Sequence, residues 1–349
     1  MRAMAWMGAA LAGLLAGCGG GSVVSIQGAA PAGSAVGNPS LVVVTPPTPA
    51  APAMVEREIA PAATDPAIRT ALEPHLAINP SPTATARGRL LVFLPGTGAT
   101  PAVYRLIVRS GAAQGLHAIG LNYPNAEAVG ELCSGSADPD CHGRVRGEIL
   151  TGEDLSPLVS VSAPESIASR LARLLSALHA QFPAEGWGQY LAGGQPDWSR
   201  IRVAGHSQGG GHAGYIAKRH GVDRAIYFSS PGDWDRTRRE PARWVLEPGI
   251  TPAARQFGFT HLQDPLVTYA TASTIWQALG LGAFGSPATV DGASAPYGGS
   301  HQLVTDAAPN PTAITASPFH GAPVVDAATP RTANGTPLFE AVWTYLCFS

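Results

Sequence analysis

Three features of this chain predict an α/β fold with a mostly parallel sheet flanked by helices. The first is a set of short, continuous apolar runs, such as residues 89–94 and 117–122, the pattern of strands buried on both faces. The second is helical spacing of apolar residues between those runs, clearest in Ile167, Leu171, Leu174, Leu175 and Leu178. The third is residues 200–214, which read as a strand, a sharp turn and the start of a helix. A strand, a helix and a further strand make one crossover unit of a parallel sheet.

In chain order, folded structure is expected from about residue 54. Residues 54–60 and 75–79 are candidate short strands. Residues 89–94 form a stronger one that ends at Pro95-Gly96-Thr97-Gly98. Residues 101–113 are expected to be helical, with Val103, Leu106 and Ile107 on one face, and residues 117–122 form the next strand. Residues 125–163 break this rhythm and read as an insertion after the strand ending near Asn122. Such an insertion lies near strand ends, where α/β proteins place their sites. It either covers a pocket or forms a tied surface loop. Ser162-Ala163-Pro164-Glu165 has the form of a capping box for the helix carrying Leu171, which ends near Pro183. His179 reads as a surface residue, and Trp187, Tyr190 and Trp198 as packing aromatics. Residues 224–229, 257–262 and 300–305 are the later strands, residues 271–281 a helix, and residues 338–347 a terminal helix.

Within residues 200–214, Gly205-His206-Ser207-Gln208-Gly209 matches G-x-S-x-G. A serine hydroxyl is a weak nucleophile until a base can reach it, and a tight strand-to-helix turn lifts it to where one can. Gly205 and Gly209 stand where a side chain would block the close passage of strand and helix. In a chain with 41 glycines the alternative is an ordinary Gly-rich turn, but the apolar strand before it and the helix-like residues after it favour the nucleophile turn. His206 and His212 lie inside the motif and read as packing or hydrogen-bonding residues.

The 349 residues carry a formal charge of −2, with 13% charged and 45% apolar side chains, so a sizeable core is expected and a polyelectrolyte partner is not. Lys218 is the only lysine, and no basic cluster interleaves with aromatics as a nucleic-acid site requires. At the N-terminus, Arg2 precedes an apolar stretch over residues 3–16, too short for a permanent span and built like an export signal. Leu15-Ala16-Gly17-Cys18 resembles the bacterial lipobox. That resemblance implies cleavage after residue 17, lipidation of Cys18, attachment to a membrane and, with Gly19 next, sorting to the outer membrane in a Gram-negative host. Residues 18–53, rich in Gly, Ala and Pro, read as a flexible tether, and residues 54–349 as the domain. Cys133 and Cys141 bracket a turn-rich segment; in an exported protein they are expected to form a disulfide, since their spacing fits no zinc pattern. Cys347 reads as a buried free thiol.

The order of elements from about residue 54 to the end, together with the G-x-S-x-G turn, resembles the α/β-hydrolase superfamily. Residues 199–220 with Ser229-Ser230-Pro231-Gly232-Asp233 also look like a group of exported bacterial members. The resemblance implies a triad in the chain order Ser, Asp, His. Ser207 carries over as nucleophile. Asp264, after the second strand beyond the turn, stands where the family's acid stands, and His320, after the last strand, where its base stands. Asp233 also closes a strand after the turn and is the rival acid. His301 is the rival base, but it stands at the start of the last expected strand and not after it. The resemblance further implies an oxyanion hole built from the N–H of Gln208 and an N–H of the loop after Leu94, that of Thr97; the His-Gly-Gly-Gly signature of some family esterases is absent. The implied activity is hydrolysis of carboxylic esters, small or polymeric, through an acyl-enzyme, with no metal or organic cofactor. The other reading is a lipoprotein that keeps the scaffold only for binding. Retention of Ser, Asp and His in the right order favours the enzyme.

Overall fold

The structure, a computed structural model, describes residues 54–313 and 315–349. The expected export signal, Cys18 and the tether lie outside the described residues.

Among the described residues, nine strands form one mixed sheet: β1 (Glu56–Ile59), β2 (His75–Ile78), β3 (Leu90–Leu94), β4 (His117–Gly120), β5 (Ile201–His206), β6 (Arg224–Phe228), β7 (Gln256–His261), β8 (Ala288–Thr289) and β9 (Gln302–Thr305). Their order across the sheet is β1-β2-β4-β3-β5-β6-β7-β9-β8. From β4 to β8 all neighbours are parallel, whereas β1–β2 and β2–β4 pair antiparallel. This is an α/β fold, and the apolar runs of the sequence supply its inner strands. Alternation along each strand divides the core in two. Leu90, Val92 and Leu94 face one side of the sheet, and Leu91 and Phe93 the other.

The longer helices that connect these strands are α1 (Arg105–Ala113), α2 (Cys141–Thr151), α3 (Ile167–Gln181), α4 (Gln208–Arg219) and α5 (Tyr269–Ala278). Residues of α2 to α5 pack into the core on one side, and those of α1 and the C-terminal residues Val342, Trp343 and Leu346 into the core on the other. The five apolar residues that announce α3 are all buried, a burial worth about 1.5–3 kcal/mol for each side chain.

Three local expectations are corrected. Ser162 does not cap α3: a 3-10 turn, Ala163–Glu165, intervenes, and Ser166 accepts the capping bond from Ser169 N–H. Glu165 instead accepts from the backbone N–H groups of Arg69 and Thr70, tying down the segment before β2. The helix expected over residues 101–113 begins as a 3-10 turn, Pro101–Tyr104, which turns Val103 out of the apolar face. The terminal helix runs only over Glu340–Trp343 and is then wound as a π turn over Thr344–Phe348. Its Cys347 is a buried free thiol, pushed up to about 12 by burial.

Cys133 and Cys141 are disulfide-bonded, with their Cα atoms 5.7 Å apart. The bond joins a one-turn helix, Val129–Leu132, to the start of α2.

Candidate active site

β5 ends at His206 and α4 begins at Gln208, leaving Ser207 alone in the turn at φ 54°, ψ −120°. A non-glycine residue with positive φ carries strain of roughly 1–3 kcal/mol and persists only where its surroundings impose it. Here the Ser207 N–H donates to Phe228 O at 2.9 Å, and the flanking glycines let strand and helix close. A Cβ on Gly205 would lie 2.3 Å from Gly209 C, and one on Gly209 would lie 2.0 Å from Leu94 O. No flexible side chain could yield at either place.

Ser207 opens into a cavity of about 530 Å³ that is also lined by Thr97, Gln208 and His320. His320 sits on a one-turn helix, Pro318–Gly321, and its Nδ1–H donates to Asp264 Oδ2 at 2.7 Å. That bond leaves Nε2 as the acceptor. Asp264 follows β7, is 3% exposed, and accepts through Oδ1 from the N–H groups of Leu266 and Val267. The structure thus brings Ser207 and the Asp264–His320 pair to one end of the sheet. No hydrogen bond links Ser207 Oγ to His320.

The other two candidates stand apart from His320 or from the cavity. Asp233 lines the cavity, but its carboxylate faces Arg146, with Nε and Nη2 each at 2.5 Å, and Trp244 Nε1 at 2.6 Å. Burial opposes its ionisation, yet the Arg146 guanidinium outweighs burial and brings it down to about 2. His301 precedes β9, stacks between Phe257 and Phe284, and bonds Gln256 O at the first residue of β7. It therefore lies at the opposite strand ends from Ser207, and it does not line the cavity.

Thr97 and Gln208 meet directly: Thr97 Oγ1 donates to Gln208 Oε1 at 3.0 Å. Neither backbone N–H has an acceptor among the described residues. For Gln208 this follows from its place at the first turn of α4, where N–H groups lack intrahelical partners and the helix dipole favours negative charge. Gln208 is also held from the insertion. Val129 N–H donates to Oε1 at 3.1 Å, and Arg146 Nη1 to its carbonyl at 3.1 Å. Residues 128–131 and Arg146 form one wall of the cavity, so the disulfide-tied segment is part of the site and not a detached surface loop. Val103, Leu266, Val267 and Val325 supply apolar lining.

Sequence reasoning missed the parts played by Tyr104, Arg146 and Ser229. Arg146 was legible only as one residue of the insertion, Ser229 only as the first residue of the segment 229–233, and nothing local marks Tyr104. Among the described residues no group of three or more His, Cys, Asp or Glu is placed to hold a metal ion, and no helix is long and apolar enough to cross a membrane. No protein-family model and no curated protein sequence matches this chain.

Proposed function

We propose that this chain is an exported serine hydrolase of the α/β-hydrolase type, anchored through a lipid on Cys18, that cleaves carboxylic esters. The observation that carries the reading is the strained Ser207 sharing a cavity with a histidine whose far nitrogen is tied to a buried aspartate. In this reading His320 Nε2 takes the Ser207 proton as Oγ attacks the ester carbonyl. Asp264 holds the ring in the tautomer that allows this and stabilises the imidazolium that forms. The N–H groups of Gln208 and Thr97 receive the charge developing on the carbonyl oxygen. His320 then returns the proton to the departing alcohol. A water activated by the same nitrogen releases the acid from the acyl-enzyme. Serine–histidine bonds are often long without substrate and tighten in the bound state, so the missing Ser207–His320 bond is compatible with this course.

The test is Ser207→Ala. The variant is expected to fold with an unchanged circular-dichroism spectrum, to hydrolyse no p-nitrophenyl ester, and to take up no fluorophosphonate. Undiminished hydrolysis in that variant would overturn the reading.

A further inference from the structure

His206 stands beside Ser207 and has no part in the proton transfers above, yet both its ring nitrogens are committed. Nε2 lies 3.0 Å from His320 O, and Nδ1 lies 2.9 Å from Tyr104 Oη. Tyr104 Oη in turn lies 3.1 Å from Gly96 N. A carbonyl only accepts, so Nε2 carries the proton. Nδ1 then accepts from the tyrosine hydroxyl, and the tyrosine oxygen accepts from Gly96 N–H. This single assignment satisfies every atom in the chain. Ser229 Oγ–H donates to the same His320 carbonyl at 2.8 Å, so that oxygen has two donors. Tyr104, His206 and Ser229 are all buried, and the His206 and His320 rings lie 4.6 Å apart. Burial above all, and then the neighbouring His320, holds His206 well below the ordinary histidine range, although its bond to His320 O pulls the other way. The neutral ring is therefore favoured, in keeping with the direction of the chain.

This chain of bonds spans the site. At one end is Gly96, next to Thr97; at the other is the backbone of His320, which has no long helix or strand beneath it, only a single turn after a loop. We infer that His206, oriented by Tyr104, is a positioning residue that fixes the His320 backbone and so sets where its imidazole stands between Asp264 and Ser207. The inference rests on the hydrolase reading of the site. It assigns His206 a purpose that a packing residue lacks: loss of its Nε2–H would leave the Asp264–His320 bond possible but no longer in one place.

The test compares His206→Leu, which removes both nitrogens, with His206→Gln, which can return an N–H near the position of Nε2. Tyr104→Phe removes only the hydroxyl. Hydrolysis of a p-nitrophenyl ester and the rate of fluorophosphonate uptake are measured well below each variant's Tm. Since misplacement by about 1 Å costs about 100-fold, His206→Leu is expected to lose about 100-fold in kcat with KM changed less than about twofold. His206→Gln should recover at least about tenfold of that loss, and Tyr104→Phe should fall between the two. Equal losses in Gln and Leu variants, or a lowered Tm with kcat preserved, would overturn the positioning role while wild-type labelling keeps the hydrolase reading. A wild-type protein that neither labels nor hydrolyses would overturn the hydrolase reading, and the positioning role with it.

Discussion

Two aspartates stand just beyond neighbouring strands of the same sheet, Asp233 after β6 and Asp264 after β7, and both are almost wholly buried, at 2% and 3% exposure. Their partners differ in kind. Asp233 meets a guanidinium through two bonds and an indole N–H through a third. Its charge is matched permanently, and the pair in turn holds Arg146 against Gln208 O. Asp264 meets two backbone N–H groups and one imidazole N–H. Its fixed partners orient the carboxylate without cancelling its charge. A carboxylate so placed is free to respond when a positive charge appears on the ring opposite, as general-base chemistry requires. The difference teaches that at equivalent strand ends the partner decides the setting: a fixed cation makes Asp233 a structural strut, and an imidazole leaves Asp264 placed as the acid of the proposed triad.

Exchanging charge for isosteric amide at each position breaks the comparison open. Asp264→Asn can still accept from Leu266 and Val267 N–H, but its amide cannot both do so and hold the Nδ1–H tautomer of His320. A loss of about 10⁴-fold in kcat is expected, the size seen when a triad aspartate becomes asparagine elsewhere, with an unfolding midpoint in urea close to that of the wild type. Asp233→Asn should behave in the opposite sense. It strands the Arg146 guanidinium, itself 2% exposed, without a counter-charge, at an expected cost of about 3–5 kcal/mol in stability. Urea denaturation would read this directly, and kcat of the molecules still folded should fall far less than in Asp264→Asn. The reverse pattern, with Asp233→Asn folded but inactive and Asp264→Asn active, would make Asp233 the acid.

What was legible beforehand divides along the same line, between local and long-range causes. The strand, turn and helix around Ser207 could be read because every contact that forces the turn lies within a few residues or against an invariant type of neighbour, a strand backbone such as Leu94 O. The runs of β3 to β7 and the apolar face of α3 were legible for the same reason: periodicity is written in consecutive residues. The cap of α3 was misplaced because Ser162 and Ser166 both precede acceptable first turns, and the choice falls to Glu165, which is recruited by Arg69 and Thr70 nearly a hundred residues away. The edge strand β8 is only two residues long, too short to carry a period. The insertion hid the meaning of its charged residues altogether. Arg146 and Glu148 are each 2% exposed, buried because Asp233 answers one, while the N–H groups of Leu155, Ser156 and Val161 answer the other. Tyr104 and His206 both line the cavity, but the chain of bonds that joins Gly96 through them to the His320 carbonyl is one that no spacing rule describes.

A third aspartate sharpens the contrast to its smallest and most quantitative form. Asp326 is partly buried and has backbone donors at the start of α1, among them Leu106 N–H at 3.1 Å, but no ion pair. Burial dominates, and the backbone donors of Leu106 and Arg105 offset it only in part, so its carboxyl is raised to about 6. Asp233, more deeply buried, is brought down to about 2 because a cation faces it. The sign of the consequence follows from proton linkage. Asp326 in the folded protein binds its proton more tightly than in the unfolded chain, whose value is 3.8. Between about pH 4 and pH 6 the folded state therefore holds more protons, and its stability falls as pH rises through that window. Below the window both states are protonated and the contribution is constant; above it the loss is complete. Because Asp326 remains partly in contact with solvent, the effect is expected to be on the order of 1 kcal/mol. Asp326→Asn keeps an acceptor for Leu106 N–H and removes the titration. Urea midpoints measured from pH 4 to pH 7 for the two proteins should converge at the acid end, with the variant the more stable at pH 7. A variant less stable than the wild type at pH 7, by an amount that grows with pH, would mean that the ionised carboxylate stabilises the start of α1 and that the backbone donors of Leu106 and Arg105 outweigh its burial.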